Sequence, residues 1–303
     1  MSAAPGTIAR LAVDSRCQLG EGIVWDDRAQ CLYWTDILSR RLWRHVPDSG
    51  ATEAWDVPEA LGCLALCDDG RLLLALAKSI RIADAPVAGE PLALRTLAPL
   101  EVALGASTRS NDGRCDRDGH FVFGTKDETG ATPPLGRFYQ FSTAHGLRPL
   151  PLPPATVPNS LCFSPDGRTL YWCDSVQPRI WCGDYDAQRA QVSHPRVFAG
   201  VEGGKAPDGS TVDAAGGVWN AHWDGARAVR YAPDGAVDRI VAIPAGRPSC
   251  CAIGGAALDT LYVTTAREDL DDDQLARTPE AGGVFALTLA PGAGLPEARL
   301  RTA

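Results

Sequence analysis

One pattern recurs six times along the chain: a short apolar run, a turn rich in Asp and Gly, and a strand-like run of aromatic and β-branched residues. In such turns Asp can hydrogen-bond its own backbone and Gly accepts a positive φ, so each turn can join two antiparallel strands. The six turns are Asp26-Asp27-Arg28, Asp68-Asp69-Gly70, Asp116-Arg117-Asp118-Gly119, Ser164-Pro165-Asp166-Gly167, Asp213-Ala214-Ala215-Gly216 and the weaker Gly254-Gly255-Ala256-Ala257.

Each turn is followed by a second strand-like run, and most units continue into a third. The second runs are Leu32-Tyr33-Trp34-Thr35, Leu72-Leu73-Leu74-Ala75, Phe121-Val122-Phe123-Gly124, Leu170-Tyr171-Trp172-Cys173, Val218-Trp219-Asn220-Ala221 and Leu261-Tyr262-Val263-Thr264. Units of roughly 40 to 50 residues with several short strands and no helical period are typical of propeller blades. An irregular β-sandwich is the alternative, but a sandwich would not repeat this order six times. We therefore predict an all-β chain that forms one six-bladed β-propeller over residues 1–303, with four-stranded antiparallel blades around a central channel.

The charge and composition restrict the partners of such a fold. The chain has 303 residues, of which 45% are hydrophobic, and a net charge of −8. That charge disfavours nucleic acid and anionic membranes, because no basic stripe offsets phosphate, and it favours a small-molecule partner. No stretch reaches the roughly 18 apolar residues of a membrane helix, and the N-terminal MSAAPGTIARLAVDSR has no signal-peptide core. We expect a cytoplasmic protein that is compatible with a monomer, while its oligomeric state stays open.

Ten cysteines are spread along the chain, most of them inside strand-like runs. A reduced thiol packs there as a small apolar group, so we interpret these cysteines as reduced and structural. The pairs Cys63 with Cys67 and Cys250 with Cys251 lie closest in sequence, but neither has further Cys or His at zinc-finger spacing. The sequence therefore gives little support to a cysteine-based zinc site.

Equivalent positions at the start of each unit carry an unusual set of polar residues. The first strand of a blade lines the central channel, so side chains at the start of these strands can meet on the axis. Counting back eight positions from the turn of each unit gives Glu21, Gly62, Asn111, Asn159, Asp208 and Ser249. Two buried carboxylates would be costly there unless a cation compensated them. Hydrogen-bonded turn formers are the alternative interpretation of each residue alone, but the shared register favours one divalent cation. All-oxygen ligands favour Ca²⁺ above all, with Mg²⁺ or Mn²⁺ possible, and Zn²⁺ could bind without being selected.

Four short motifs at these positions resemble the gluconolactonase, regucalcin and sugar-lactonase family, and later segments resemble bacterial aldonolactonases. The motifs are Leu19-Gly20-Glu21-Gly22, Arg109-Ser110-Asn111-Asp112-Gly113, Pro158-Asn159-Ser160 and Pro207-Asp208-Gly209. The resemblance implies that Glu21, Asn159 and Asp208 bind the metal, that Asp208 is also the general base, and that Arg109 and Asn111 contact the sugar.

The same resemblance places a further substrate-contacting acid near Glu128, although the register puts Thr129 at the acidic position. Lys126 stands where the family has Met, and its charge would suit a substrate that carries a carboxylate. The implied activity is metal-dependent hydrolysis of a sugar lactone, either an aldono- or an aldarolactone, to the open-chain acid.

Other functions stay open at this point. A metal-dependent esterase or phosphotriesterase could use the same fold and cation, and a non-catalytic scaffold could use the propeller face, since fold alone does not fix function. A serine-hydrolase route is disfavoured because no G-x-S-x-G elbow occurs and the histidines, His222 included, are scattered. We expect Trp25, Trp34, Trp172 and Trp219 to pack between blades. The insertions Thr129 to Arg137 and Arg267 to Leu275 could be lids, and a solvated surface loop is the favoured interpretation of the second.

Overall fold

A computed structural model describes residues 7–100 and 107–302, and these residues form six four-stranded antiparallel sheets. The first six residues of the N-terminal segment discussed above lie outside this range. The chain begins with β1 (Arg10–Val13); blade 1 contains β2 (Gly20–Asp26), β3 (Cys31–Asp36), β4 (Arg41–Val46) and β5 (Ala51–Asp56), and blade 2 contains β6 (Leu61–Leu66), β7 (Leu72–Leu76), β8 (Ser79–Ala83) and β9 (Leu94–Pro99). Blade 3 contains β10 (Thr108–Cys115), β11 (Phe121–Asp127), β12 (Phe138–Ser142) and β13 (Gly146–Pro149), and blade 4 contains β14 (Pro158–Phe163), β15 (Thr169–Asp174), β16 (Arg179–Asp186) and β17 (Gln191–Gly200). Blade 5 contains β18 (Ala206–Val212), β19 (Val218–Trp223), β20 (Arg227–Tyr231) and β21 (Val237–Ala242), and blade 6 contains β22 (Pro248–Gly254), β23 (Thr260–Thr265) and β24 (Val284–Thr288).

The predicted six-bladed β-propeller is confirmed, and each predicted turn joins the first two strands of a blade. Blade 6 is completed by β1, which pairs antiparallel with β24 so that Leu11 lies opposite Phe285. The ring is thus closed by strands from opposite ends of the chain. In the described residues the one helix is α1 (Asp272–Arg277), and no helix there is long and apolar enough to cross a membrane.

Apolar side chains fill the space between neighbouring blades. Trp25 stacks on Tyr262 with ring centroids 6.2 Å apart, which joins blades 1 and 6, and Trp34 stacks on Trp43 within blade 1. All four tryptophans that were expected between blades are buried in such clusters. All ten cysteines are buried and free of disulfides, as expected for packed, reduced thiols.

Every innermost strand contains a β-bulge at the same depth, which the repeat pattern did not reveal. The pairing with the second strand shifts between Glu21 and Val24, Leu61 and Cys63, Ser110 and Gly113, Asn159 and Cys162, Pro207 and Ser210, and Pro248 and Cys251. A bulge redirects a side chain and increases the local twist. The six positions found by counting back from the turns therefore lie in or beside these bulges.

The C-terminal segment, residues 293–302, crosses the end of the channel at which the innermost strands finish. Its backbone is hydrogen-bonded to blade 5 through Ala214, to blade 2 through Leu66 and to blade 3 through Gly119. The Arg299 side chain reaches blade 1, where it donates to Asp26 at 2.8 Å. This end of the channel is therefore covered, and a ligand can approach from the end where the innermost strands begin.

Candidate active site

A cavity of about 310 Å³ lies at the starting ends of the innermost strands. Five of the six predicted site residues line it: Glu21, Arg109, Asn111, Asn159 and Asp208. The remaining lining residues come from several blades and are Leu19, Lys126, Val157, Ser175, Val176, Ala206, Trp223, Glu268 and Asp269. The five predicted residues come from four separate blades and lie in one cavity.

Two of the acids in this cavity, Asp208 and Glu21, are buried, and Glu21 Oε2 accepts from the Gly22 amide at 3.2 Å. Asp208 is 5% exposed, and its Oδ1 atom is buried without a hydrogen-bond partner among the described residues. Burial, followed by the charges of Glu21 and Asp112, raises the pKa of Asp208 well above its ordinary value. Burial and then the Asp112 charge likewise raise the pKa of Glu21 to about 8. An unpartnered, buried carboxylate oxygen beside a second buried acid is the arrangement that a bound cation would stabilise.

A chain of hydrogen bonds orients the amide side chains. Arg109 Nη1 donates to Asn111 Oδ1 at 2.9 Å, and Asn111 Nδ2 donates to Asn159 Oδ1 at 2.9 Å. Asn159 Nδ2 in turn donates to Ser175 Oγ at 2.8 Å, and Ser175 donates to the Pro207 carbonyl at 2.6 Å. A carbonyl oxygen has two lone pairs, so Asn159 Oδ1 can accept from Asn111 and still bind a cation. In the described residues no three His, Cys, Asp or Glu side chains lie close enough to hold a metal, and the Asn159 side-chain oxygen is available as a further ligand beside the two buried carboxylates.

Glu128 lies at the rim of the cavity and pairs with Arg109. The distance from Arg109 Nε to Glu128 Oε1 is 3.5 Å, and the Glu128 side chain is 45% exposed. Thr129 instead donates its hydroxyl to Asp127 Oδ1 at 2.7 Å. Of the two candidates left open by the register, Glu128 is therefore the one in contact with a residue of the cavity.

Asp112 was missed as a candidate, although it stands inside one of the motifs. Its Oδ1 accepts from the Gly113 amide and its Oδ2 from the Leu161 amide, both at 2.8 Å, which ties the bulges of blades 3 and 4 together. Burial raises its pKa to about 6. The residue is fully satisfied by backbone donors, so its part is to hold the strands that carry Asn111 and Asn159.

The insertion from Arg267 to Leu275 begins as part of the cavity wall. The backbone amides of Arg267 and Glu268 both donate to the Gln18 carbonyl, at 3.0 and 2.8 Å, and Glu268 and Asp269 line the cavity. Only after these residues does the segment become the exposed helix α1. The favoured interpretation as a solvated loop therefore holds for the later part and is wrong for Glu268.

His222 is a buried structural residue. It is 1% exposed, Arg227 Nε donates to its Nδ1 at 3.0 Å, and its Nε2 lies 3.1 Å from the Tyr231 hydroxyl. Burial, and then the charge of Arg227, lower the pKa of His222 to about 3. The imidazole is thus neutral and does not line the cavity.

General acid–base groups typically contribute roughly 10²-fold or more to a rate, and His222 is not placed to act as one. We therefore predict that His222→Gln leaves kcat/KM for a reaction in this cavity within about threefold of the parent. In the parent, folding lowers the pKa of His222. Below about pH 6.5 the unfolded residue binds a proton that the folded residue does not bind, and this lowers the free energy of unfolding. The free energy of unfolding of the parent should therefore fall more steeply than that of the variant between about pH 6.5 and 5. Urea titrations and pH–rate profiles test this, and a lost limb of the pH–rate profile in the variant would contradict it.

Comparisons with known proteins agree over most of the chain. A family model described as SMP-30/gluconolactonase/LRE-like region matches residues 19–267. The chain is 46% identical to L-arabinolactonase of Azospirillum brasilense over 93% of this chain and 92% of that protein. It is 37% identical to 6-deoxy-6-sulfogluconolactonase of Pseudomonas putida over 92% and 94%, respectively. A solved structure of regucalcin from Agrobacterium tumefaciens, described as a calcium-binding protein, superposes with a TM-score of 0.90 at 30% identity, covering 99% of this chain and 100% of that one. The residues matched by the family model include every cavity residue named above except Glu268 and Asp269.

Proposed function

The chain belongs to the SMP-30/gluconolactonase/LRE-like family, and we propose that it is a lactonase that hydrolyses a sugar lactone with one divalent cation at Glu21, Asn159 and Asp208. The observation that carries the proposal is the buried, unpartnered Oδ1 of Asp208 beside Glu21 in a cavity of about 310 Å³. Its relatives L-arabinolactonase and 6-deoxy-6-sulfogluconolactonase are named for lactones of sugar acids. The family and the chemistry of the cavity support the same reaction.

The donor set fits a hard cation. Glu21, Asn159 and Asp208 offer carboxylate and amide oxygens, which suit Ca²⁺, Mg²⁺ or Mn²⁺ better than metals that prefer sulfur or imidazole. We take Ca²⁺ as the first candidate, because a solved relative is described as a calcium-binding protein, and Zn²⁺ as the last. When bound, the cation would polarise the lactone carbonyl and acidify the attacking water.

The protein groups position the substrate and move the proton. Asp208, whose Oδ1 is buried without a hydrogen-bond partner among the described residues, takes a proton from the attacking water as general base. The water oxygen bonds to the carbonyl carbon, the ring C–O bond breaks, and the proton ends on the ring oxygen, which leaves as a hydroxyl. The main chain of Asp208 is fixed, because its carbonyl accepts from Ser160 Oγ at 2.8 Å and from Asn220 Nδ2 at 2.6 Å.

Arg109 and Asn111 bind the polyhydroxylated ring in this proposal. Arg109 is 5% exposed and held by Glu128, so its remaining N–H groups are presented to the cavity in a fixed orientation. Hydroxyl groups of a sugar are both donors and acceptors, which suits a guanidinium beside an amide. This polar lining favours a sugar lactone over the apolar ester or phosphotriester of the alternative hydrolases, and the buried acids disfavour a scaffold.

L-Arabinolactone is the first candidate substrate, since the relative at 46% identity is named for it. The ten free, buried cysteines fit a reducing compartment, so a cytoplasmic location is part of the proposal.

Removing the cation is expected to lower kcat/KM for L-arabinolactone by at least about 100-fold, because the metal supplies several kcal/mol of charge stabilisation. Ring opening releases acid, so a pH indicator follows the reaction after the uncatalysed rate is subtracted. Purified protein is treated with chelator, dialysed, and titrated with Ca²⁺, Mg²⁺, Mn²⁺ and Zn²⁺ in parallel. Hydrolysis that is unchanged by thorough chelation would refute the metal-dependent mechanism, and failure to open any sugar lactone would refute the function.

A further inference from the structure

Glu268 occupies a fixed position on the cavity wall opposite blade 3. Its backbone is held by the Gln18 carbonyl, and the preceding Arg267 side chain donates to the Ala281 carbonyl at 2.7 Å. The chain then turns at Asp269, which has a φ of 52°. No hydrogen bond or ion pair joins the half-buried Glu268 carboxylate to another described residue. The segment therefore brings two acids to the cavity, the half-buried Glu268 and the exposed Asp269.

The charge of Glu268 acts on the basic groups that face a substrate. Burial lowers the pKa of Lys126 and the neighbouring Arg109 lowers it further, whereas the carboxylates of Glu268, Asp208 and Glu128 oppose that shift. Glu268 is also one of the charges that act on Arg109, after Glu128. Lys126 and Arg109 lie opposite each other on β10 and β11. Lys126 thus shares the cavity with Glu268, Asp269, Glu21 and Asp208, and its positive charge faces a lining rich in acids.

The acids of the cavity outnumber its bases. Four acids line it, Glu21, Asp208, Glu268 and Asp269, against the two bases Arg109 and Lys126, and Glu128 pairs with Arg109 from outside the lining. With all of these groups ionised, a bound divalent cation would still leave one negative charge in excess. A lactone that carries its own carboxylate would then add an uncompensated charge in a partly buried site, where such a charge is poorly screened.

We infer that Glu268 is a specificity-determining residue that offsets Lys126 and makes the enzyme prefer neutral aldonolactones over lactones that carry a second carboxylate. The inference rests on the proposed lactonase function and deepens it. It reverses the expectation from Lys126 alone, which was that a positive charge beside the pocket would suit an acidic substrate. The sequence alone could not suggest this role, because Glu268 and Lys126 are distant in sequence and share only the cavity that both line.

The test compares two lactones with the same five-membered ring, arabinonolactone with a terminal hydroxymethyl group and arabinarolactone with a carboxylate in its place. The parent enzyme should prefer the neutral lactone in kcat/KM. Glu268→Gln should raise the ratio of kcat/KM for arabinarolactone to kcat/KM for arabinonolactone by about tenfold, the effect of removing one like charge from the wall of the same cavity at an effective dielectric constant of about 20 with partial screening. The effect is read from this ratio, since Glu268 lines the cavity and its substitution acts on both lactones.

Three further variants separate charge from structure. Glu268→Asp keeps the charge and should keep the preference, and Lys126→Met should lower kcat/KM for arabinarolactone further. Asp273→Asn removes an acid from α1 that does not line the cavity, and it should leave the ratio unchanged. Higher salt should weaken the preference of the parent and affect Glu268→Gln less. If the parent opens arabinonolactone and Glu268→Gln leaves the ratio unaltered, the inference is wrong and the lactonase function stands. If the parent opens neither of these lactones nor any other sugar lactone, both are overturned.

Discussion

Asp208→Asn is expected to lower kcat/KM for a sugar lactone by about 10³-fold or more, because it removes the general base and a charged metal ligand together. The substitution keeps the shape of the side chain, and the backbone at this position stays anchored through Ser160 and Asn220. A loss of activity would therefore come from the missing general base and charged metal ligand rather than from a displaced strand. Steady-state kinetics at saturating cation test this, and a variant with more than about a tenth of the parent activity would place the base elsewhere.

The same substitution is expected to stabilise the cation-free protein. Asp208 carries a buried oxygen without a partner, next to Glu21, and an amide removes the uncompensated charge. A saturating cation should stabilise the parent, by about 4 kcal/mol at a thousand times its Kd, and the variant much less. Thermal unfolding with and without Ca²⁺ measures both effects.

Asp112→Asn is the matched control for this change in stability. Both of its oxygens accept from backbone amides, so an amide nitrogen there would face a donor, and the variant should be less stable than the parent. A cation-free Asp208→Asn protein that is less stable than the parent would show that Asp208 is already compensated within the protein.

The sequence predicted the blades well because the repeat is local. Each turn and each following strand is specified within about ten residues by Asp, Gly and aromatic residues, which act through short-range sterics and hydrogen bonds. The same regularity allowed Glu21, Asn159 and Asp208 to be grouped, since equivalent residues of successive blades meet on the axis. The bulges that aim these side chains depend on pairing within a strand pair and leave no clear mark on composition.

Features that depend on contacts between distant segments could not be predicted. Asp112 accepts a hydrogen bond from the Leu161 amide in the next blade, and Glu268 lines the same cavity as Lys126, far from it in sequence. Neither arrangement has a periodic signature. The C-terminal segment was likewise not assigned, because it forms no strand and contacts several blades with one or two residues each.

Glu297→Ala in that segment is expected to lower the free energy of unfolding by about 3–5 kcal/mol, the usual cost of leaving one member of a buried ion pair unpaired. Glu297 Oε2 accepts from Arg114 Nη1 at 2.6 Å, and the two side chains are 13% and 9% exposed. Arg114 also donates to the Cys251 carbonyl at 3.2 Å, so it extends from blade 3 toward blade 6 across the covered end of the channel. Without Glu297 the guanidinium would remain there with a single neutral acceptor. Urea unfolding at neutral pH measures the loss.

The double variant Arg114→Met with Glu297→Leu separates the ion pair from the packing. Replacing both charges by apolar groups of similar size removes the desolvation penalty, so the double variant should be more stable than Glu297→Ala alone. Kinetics show whether the Arg114–Glu297 ion pair affects stability alone or also the active site. Because the pair lies at the end of the channel away from Asp208, kcat/KM at 25 °C should stay within about threefold in every variant that remains folded. A Glu297→Ala protein as stable as the parent would mean that the segment does not close the channel. A large loss of activity in a stable variant would instead mean that the covered end is coupled to the site through the innermost strands, on which Arg114 stands three residues after Asn111.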